Sequence, residues 1–257
     1  MGLGIFLILG WVTYLGSWCF YGMMAVVLLL GAWEIISARR LLIPMSPKGT
    51  RMSYLMLALL ISGVIVGVML RQLDPAASVN SWMMWLVLQT TASDIGGLFA
   101  GKLAEAIGKI PGVKSDDWWL LKHPFRDSPK KTNAGLIGGL ALAGLIAWQW
   151  VKLTSLPMTL LYFFPVIWVV AVFGDWIESH WKREIGIKNS AIFSAAYNTF
   201  GTRVGVEGKS LLRSHGGILD RVDSHIFSIL LVGGGLMLFY YLVTGNWLPE
   251  IDSLTWF

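Results

Sequence analysis

Cys19 is the only cysteine in a chain of 257 residues, so no disulfide can form within one copy. It lies inside an apolar run, where a buried structural thiol is expected rather than a nucleophile. Charge is also scarce, at 14% of residues against about a quarter in soluble domains. With 55% hydrophobic residues, a water-soluble globule of this size is excluded. The four histidines (His123, His180, His215 and His225) lack zinc-ligand spacing. Gly208-Lys209-Ser210 is not a phosphate-binding P-loop, because the glycine required five residues before Gly208 is Arg203. No Gly-x-Ser-x-Gly elbow, internal repeat, low-complexity tract or linker is present, so residues 1–257 read as a single integral membrane domain.

What the chain does have is long apolar segments, near 3–15, 17–36, 53–70, 82–100, 135–151, 157–174 and 226–244. A membrane-crossing helix needs about 20 mainly apolar residues. The expected fold is therefore all-α, a polytopic transmembrane helical bundle of about six to eight membrane segments with two cytoplasmic polar loops. The first two segments are fused, and Gly16-Ser17 is the expected break. The 3–15 segment is short for a crossing, and is expected to tilt or re-enter rather than act as a signal peptide, since it lacks a basic start.

The 20 Lys and Arg residues then sort by connection. Residues 37–51 hold four, 101–133 hold seven and 175–224 hold seven, whereas 71–80 and 152–156 hold one each and the stretch after 244 holds none. Eighteen therefore fall on alternate connections, which share one side of the membrane. The positive-inside rule makes that side the cytoplasm. The net charge of +5 is thereby assigned to orientation and anionic headgroups, and nucleic acid is not an expected partner.

Polar chemistry concentrates in the two basic loops. The second opens Gly174-Asp175-Trp176-Ile177-Glu178-Ser179-His180-Trp181-Lys182-Arg183 and closes Ser214-His215-Gly216-Gly217-Ile218-Leu219-Asp220-Arg221-Val222-Asp223-Ser224. On a continuing helix Asp175, Ser179 and Lys182 share a face, as do Asp220 and Asp223. Carboxylates with neighbouring cations at headgroup depth suit Mg²⁺ and phosphates. That pattern points to phosphoryl or nucleotidyl transfer to a lipid. Taken alone, the same residues also read as solvated loop ends with ordinary ion pairs. Asp94 lies within an apolar segment, where an ionisable group is functional by default or simply reaches the interface. Ser128-Pro129-Lys130-Lys131-Thr132 precedes the next segment as a basic anchor with a helix start.

Together these stretches resemble the phosphatidate cytidylyltransferase (CDP-diacylglycerol synthase) family. The resemblance covers roughly residues 90–240, the region similar to that family's catalytic core. It rests on Ser93-Asp94-Ile95-Gly96-Gly97, on Ser128 to Thr132, on Ser179, Lys182-Arg183 and Lys188, and on the string from His215 to Ser224. It implies catalytic roles for Asp175, Ser179, Lys182, Asp220 and Asp223, with Mg²⁺ on Asp175, Asp220 and Asp223 and a second cation beside it. Substrate contacts are implied for Asp94, Ser128, Lys130, Lys131, Arg183, Lys188, His215, Gly216, Gly217 and Arg221. The implied reaction joins CTP and phosphatidate into CDP-diacylglycerol and pyrophosphate, in a bacterial inner membrane with the site facing the cytoplasm and a homodimer as the assembly. Three departures stand out. Lys188 is followed by Asn189 instead of Asp, an unusually long interval of about 25 residues precedes His215, and the Glu after the Ser-Pro-x-Lys-Thr block is missing near Asn133-Ala134. They leave open a non-catalytic, transport or assembly protein on the same scaffold. A CDP-alcohol phosphotransferase is excluded by the absent Asp-Gly-x-x-Ala-Arg signature.

Overall fold

A computed structural model describes residues 17–41, 45–73, 82–110, 118–125, 128, 131–154, 158–187 and 217–245. The expected 3–15 segment lies outside the described residues. Those described form helices and no strand: α1 (Ser17–Leu41), α2 (Pro47–Leu73), α3 (Trp82–Gly108), α4 (Asn133–Thr154), α5 (Phe164–Glu184), α6 (Leu219–Ser228) and α7 (Gly234–Thr244). Two 3₁₀ turns, Trp119–Leu121 and Met158–Tyr162, sit in the connections. A π-helical stretch, Ile229–Gly233, joins α6 to α7 so that the two continue as one rod.

Four of these helical runs are long and apolar enough to cross a membrane: Trp18–Arg40, Pro47–Gln72, Asn133–Thr154 and Leu219–Val243. Their outward faces carry exposed Leu29, Ile65, Leu145, Phe239 and Leu242, and Cys19, expected to be buried, is exposed on α1 as well. A soluble monomer does not present that much contiguous apolar surface, whereas lipid accepts it without penalty. Inside, Phe20, Ile35, Leu70, Trp85, Ile167 and Trp181 are fully buried and form one core.

Helices attract each other weakly in hydrocarbon, so close backbone approach decides where they pack. The α3–α4 contact illustrates this. A Cβ on Gly138 would sit 2.1 Å from the Ala100 Cβ and 2.7 Å from the Gly96 carbonyl oxygen, and one on Gly139 would sit 2.7 Å from the Ser93 carbonyl oxygen. Gly96, Gly138 and Gly139 thus permit backbone contact along two antiparallel helices. Thr132 opens α4 as its cap, its hydroxyl accepting the Gly135 N–H at 3.1 Å. The helix start expected at this point of the sequence is thus supplied by Thr132.

The contact region is equally tight where α5 meets α6. A Cβ on Gly174 would lie 2.7 Å from that of Phe227. Gly174 immediately precedes Asp175, and Phe227 is one turn beyond Asp223, so the missing side chain brings the two acidic residues together. Ser53 fastens α5 to α2 by accepting the Trp181 indole N–H at 3.0 Å.

Gly138→Ala is expected to destabilise the protein by about 1–3 kcal/mol through overpacking. Thermal unfolding in detergent checks this, with Gly22→Ala, whose Cβ meets nothing within 4 Å, expected to unfold like the parent.

Candidate functional site

α5 continues well past its apolar part, and its last three turns carry Asp175, Glu178, Ser179 and Lys182. The face predicted for Asp175, Ser179 and Lys182 forms, with the Ser179 hydroxyl donating to Asp175 Oδ1 at 3.3 Å. α6 approaches from the opposite side with Asp220 and Asp223. One oxygen each from Asp175, Glu178 and Asp223 lie within 4.8 Å of one another. α3 adds Asp94, which lies in the field of Asp175 and Lys131.

Two lysines answer these carboxylates. Lys131, immediately before the α4 cap, reaches across to Asp175 Oδ2 at 2.6 Å and donates to the Val172 carbonyl oxygen at 3.3 Å. Lys182 lies between Glu178, its partner one turn back, and Asp220 Oδ1, at 2.6 Å. Glu178 is fully buried, and its Oε1 meets no hydrogen-bond donor among the described groups. The Lys182 ammonium thus lies between two carboxylates, Glu178 of its own helix and Asp220 of α6.

A divalent cation fits this donor set. Hard oxygen ligands suit Mg²⁺, which takes carboxylate oxygens gathered as these three are. A cation would also give Glu178 Oε1 the partner it lacks.

Asp220, expected among the metal ligands, is placed differently. Its Oδ2 accepts the Gly217 N–H at 2.7 Å while Oδ1 faces Lys182. Glu178 occupies the third position in the trio. It went unassigned in the sequence, although its place three residues after Asp175 puts both on one helix face. Of the expected substrate contacts, Lys131 and Asp94 join the cluster, Gly217 is buried beside Asp220, and Arg221 and Ser128 are half-buried. Arg183 is exposed on α5. Lys130, Lys188, His215, Gly216 and the 190–213 interval lie outside the described residues.

The cluster occupies two stretches of sequence, and one of them is diagnostic on comparison. Residues 42–193, which include Asp94, Lys131, Asp175, Glu178 and Lys182, match the Cytidylyltransferase family. The chain belongs to that family. Its relatives include a phosphatidate cytidylyltransferase of Helicobacter pylori, 36% identical over 151 residues that make up 58% of this chain and 44% of that one. One of Synechocystis is 30% identical over 172 residues, 63% of this chain and 43% of the relative. One of Bacillus subtilis is 32% identical over 103 residues, 39% and 32% respectively. These matches span less than half of each curated relative. The stretch from His215 to Ser224, which carries Asp220 and Asp223, lies beyond the residues of the family match.

Removing Lys182 would leave Glu178 buried without its cation. Lys182→Met is expected to destabilise by about 3 kcal/mol, the scale of a broken buried pair. Thermal unfolding measures it, and Glu178→Gln in the same chain is expected to recover part of the loss.

Proposed function

We propose that this chain is a phosphatidate cytidylyltransferase, converting CTP and phosphatidate to CDP-diacylglycerol and pyrophosphate. The observation that carries the reading is the meeting of Asp175, Glu178 and Asp223 with Lys131 and Lys182 in a member of the Cytidylyltransferase family. The names of the relatives supply the substrate class.

In this reading Asp175, Glu178 and Asp223 hold Mg²⁺, and a second cation can join through Asp94 or Asp220. When bound, the ion neutralises phosphate charge and stabilises the leaving pyrophosphate. A phosphate oxygen of the lipid attacks the α-phosphorus of CTP, forming the new P–O bond as the bond to pyrophosphate breaks. Such transfers rest on positioning and charge neutralisation, with little covalent chemistry from the protein. Lys131 is directed into the cluster by the α4 cap, where it can hold a phosphate oxygen as a point charge. Lys182, held between Glu178 and Asp220, adds positive potential beside the cluster. Arg221 and Arg183, with Lys130 and Lys188, are the further candidates for phosphate contacts. Ser179 orients Asp175.

We also propose that α3 and α5 cross the membrane, giving six crossings by described helices. α3 packs backbone to backbone against α4, an apolar helix of crossing length, and so shares its depth. The basic ends of the helices then face the cytoplasm, with the acidic cluster towards that side, in a bacterial inner membrane. Phosphatidate could present its headgroup there while its acyl chains remain in the bilayer.

The direct test incubates the purified protein in detergent with phosphatidate, Mg²⁺ and radiolabelled CTP. Labelled CDP-diacylglycerol that disappears with EDTA is expected. Asp175→Asn, Glu178→Gln and Asp223→Asn are each expected to reduce turnover by more than about a hundredfold, beyond what loss of an outer-shell partner does. Asp220→Asn is expected to fall less, and a loss as large as in the trio would place Asp220 among the ligands. No product from any phosphatidate would favour the non-catalytic alternative.

A further inference from the structure

Glu34 is the one acidic residue of α1 and is almost fully buried, at 1% exposure. An isolated buried carboxylate is costly unless something specific receives it. Its two oxygens accept the backbone N–H groups of Ile218 at 2.7 Å and Leu219 at 3.0 Å. These belong to the first turn of α6, where N–H groups lack partners within the helix and the helix dipole favours an anion. The preceding N–H, that of Gly217, is taken by Asp220 from within the turn. Two carboxylates 186 positions apart in the chain, one from α1 and one from α6, therefore receive three successive amides.

We infer that Glu34 is a positioning residue for the site: it ties the start of α6 to α1 and so sets where Asp220 and Asp223 point. The inference rests on the metal-site reading above. Neither Glu34 nor the two amides falls within residues 42–193, the stretch matched to the family. The tie acts over a short lever. Asp220 is one residue beyond Leu219, and Asp223 about one turn beyond, so a rotation of the first turn moves both. Gly174, packed on Phe227, fixes the far side of the same turn pair. With both ends held, Asp223 faces Asp175 and Glu178 while Asp220 faces Lys182.

The test uses the full chain in detergent and compares the parent with Glu34→Gln and Glu34→Asp. Mn²⁺ serves as the probe ion, its binding followed by electron paramagnetic resonance, with amide hydrogen exchange read over residues 217–224 and over α3 and α4. Glu34→Gln keeps the shape but offers one acceptor oxygen and turns an N–H₂ towards the other amide. It is expected to weaken Mn²⁺ binding by about tenfold, the lower end for loss of an outer-shell partner, and to raise by a similar factor the Mg²⁺ needed for half-maximal turnover. Faster exchange is expected at Ile218 and Leu219 with α3 and α4 unchanged. Glu34→Asp retains the charge and is expected to recover part of the affinity, which decides the question if Glu34→Gln does not fold. Unchanged Mn²⁺ affinity in the folded variants would overturn the inference. So would faster exchange throughout the chain at unchanged affinity, since that describes a general packing role. If the parent neither binds Mn²⁺ nor forms labelled lipid, the metal-site reading falls with the functional one. Exchange confined to 217–224 would then still uphold the tie between α1 and α6.

Discussion

Glu178 is fully buried in a chain that surrounds it with apolar helices, and a bare carboxylate in such a place costs several kcal/mol. Lys182, one turn further along α5, is the group that makes it tolerable, and the same ammonium also holds Asp220 of α6. Much of the site follows from this arrangement. Because Lys182 is shared, α5 and α6 cannot slide independently. Because Asp220 is taken by Lys182 and the Gly217 amide, Asp223 is left as the α6 carboxylate facing Asp175 and Glu178. One lysine thus separates Asp220 from Asp175, Glu178 and Asp223, whose oxygens lie close enough together to receive a cation.

Such a cluster demands helices that meet closely, and the glycines provide this. Gly174 lets α5 and α6 touch beside Asp175, and Gly96, Gly138 and Gly139 let α3 and α4 touch beside Asp94 and Lys131. In hydrocarbon, where burial of apolar groups between helices brings little, van der Waals contact between backbones is a main source of association. The residues that make the bundle stable are for that reason neighbours of those that make the site. Buried polar contacts such as Trp181 to Ser53 add direction to this packing.

The helical membrane class was readable from scarce charge and long apolar runs, because lipid permits few structures other than helices to cross it. Asp175, Ser179 and Lys182 were readable as one face, and Asp220 and Asp223 as another, because helix periodicity alone places each set together. Lys131 was visible within a basic stretch, but its pairing with Asp175 was not, since the two are separated by a whole α4 and the following connection. Glu178 carried a usable signal, its three-residue spacing from Asp175, which went unused. Glu34 carried one too, as a lone acid in an apolar run.

The sequence by itself determined the chemistry available: an apolar chain, basic connections between its apolar runs, and carboxylates and lysines of the right kinds in local register. Local periodicity and hydropathy act over a few residues, so they speak reliably about single helices and their faces. Only the tertiary structure decided which of the five carboxylates pair with lysine and which meet one another. That choice depends on contacts among α3, α4, α5 and α6, and on Glu34 of α1 holding the first turn of α6. Interactions between residues far apart in the chain depend on interhelical distances, and those are set by packing between backbones that no single segment contains.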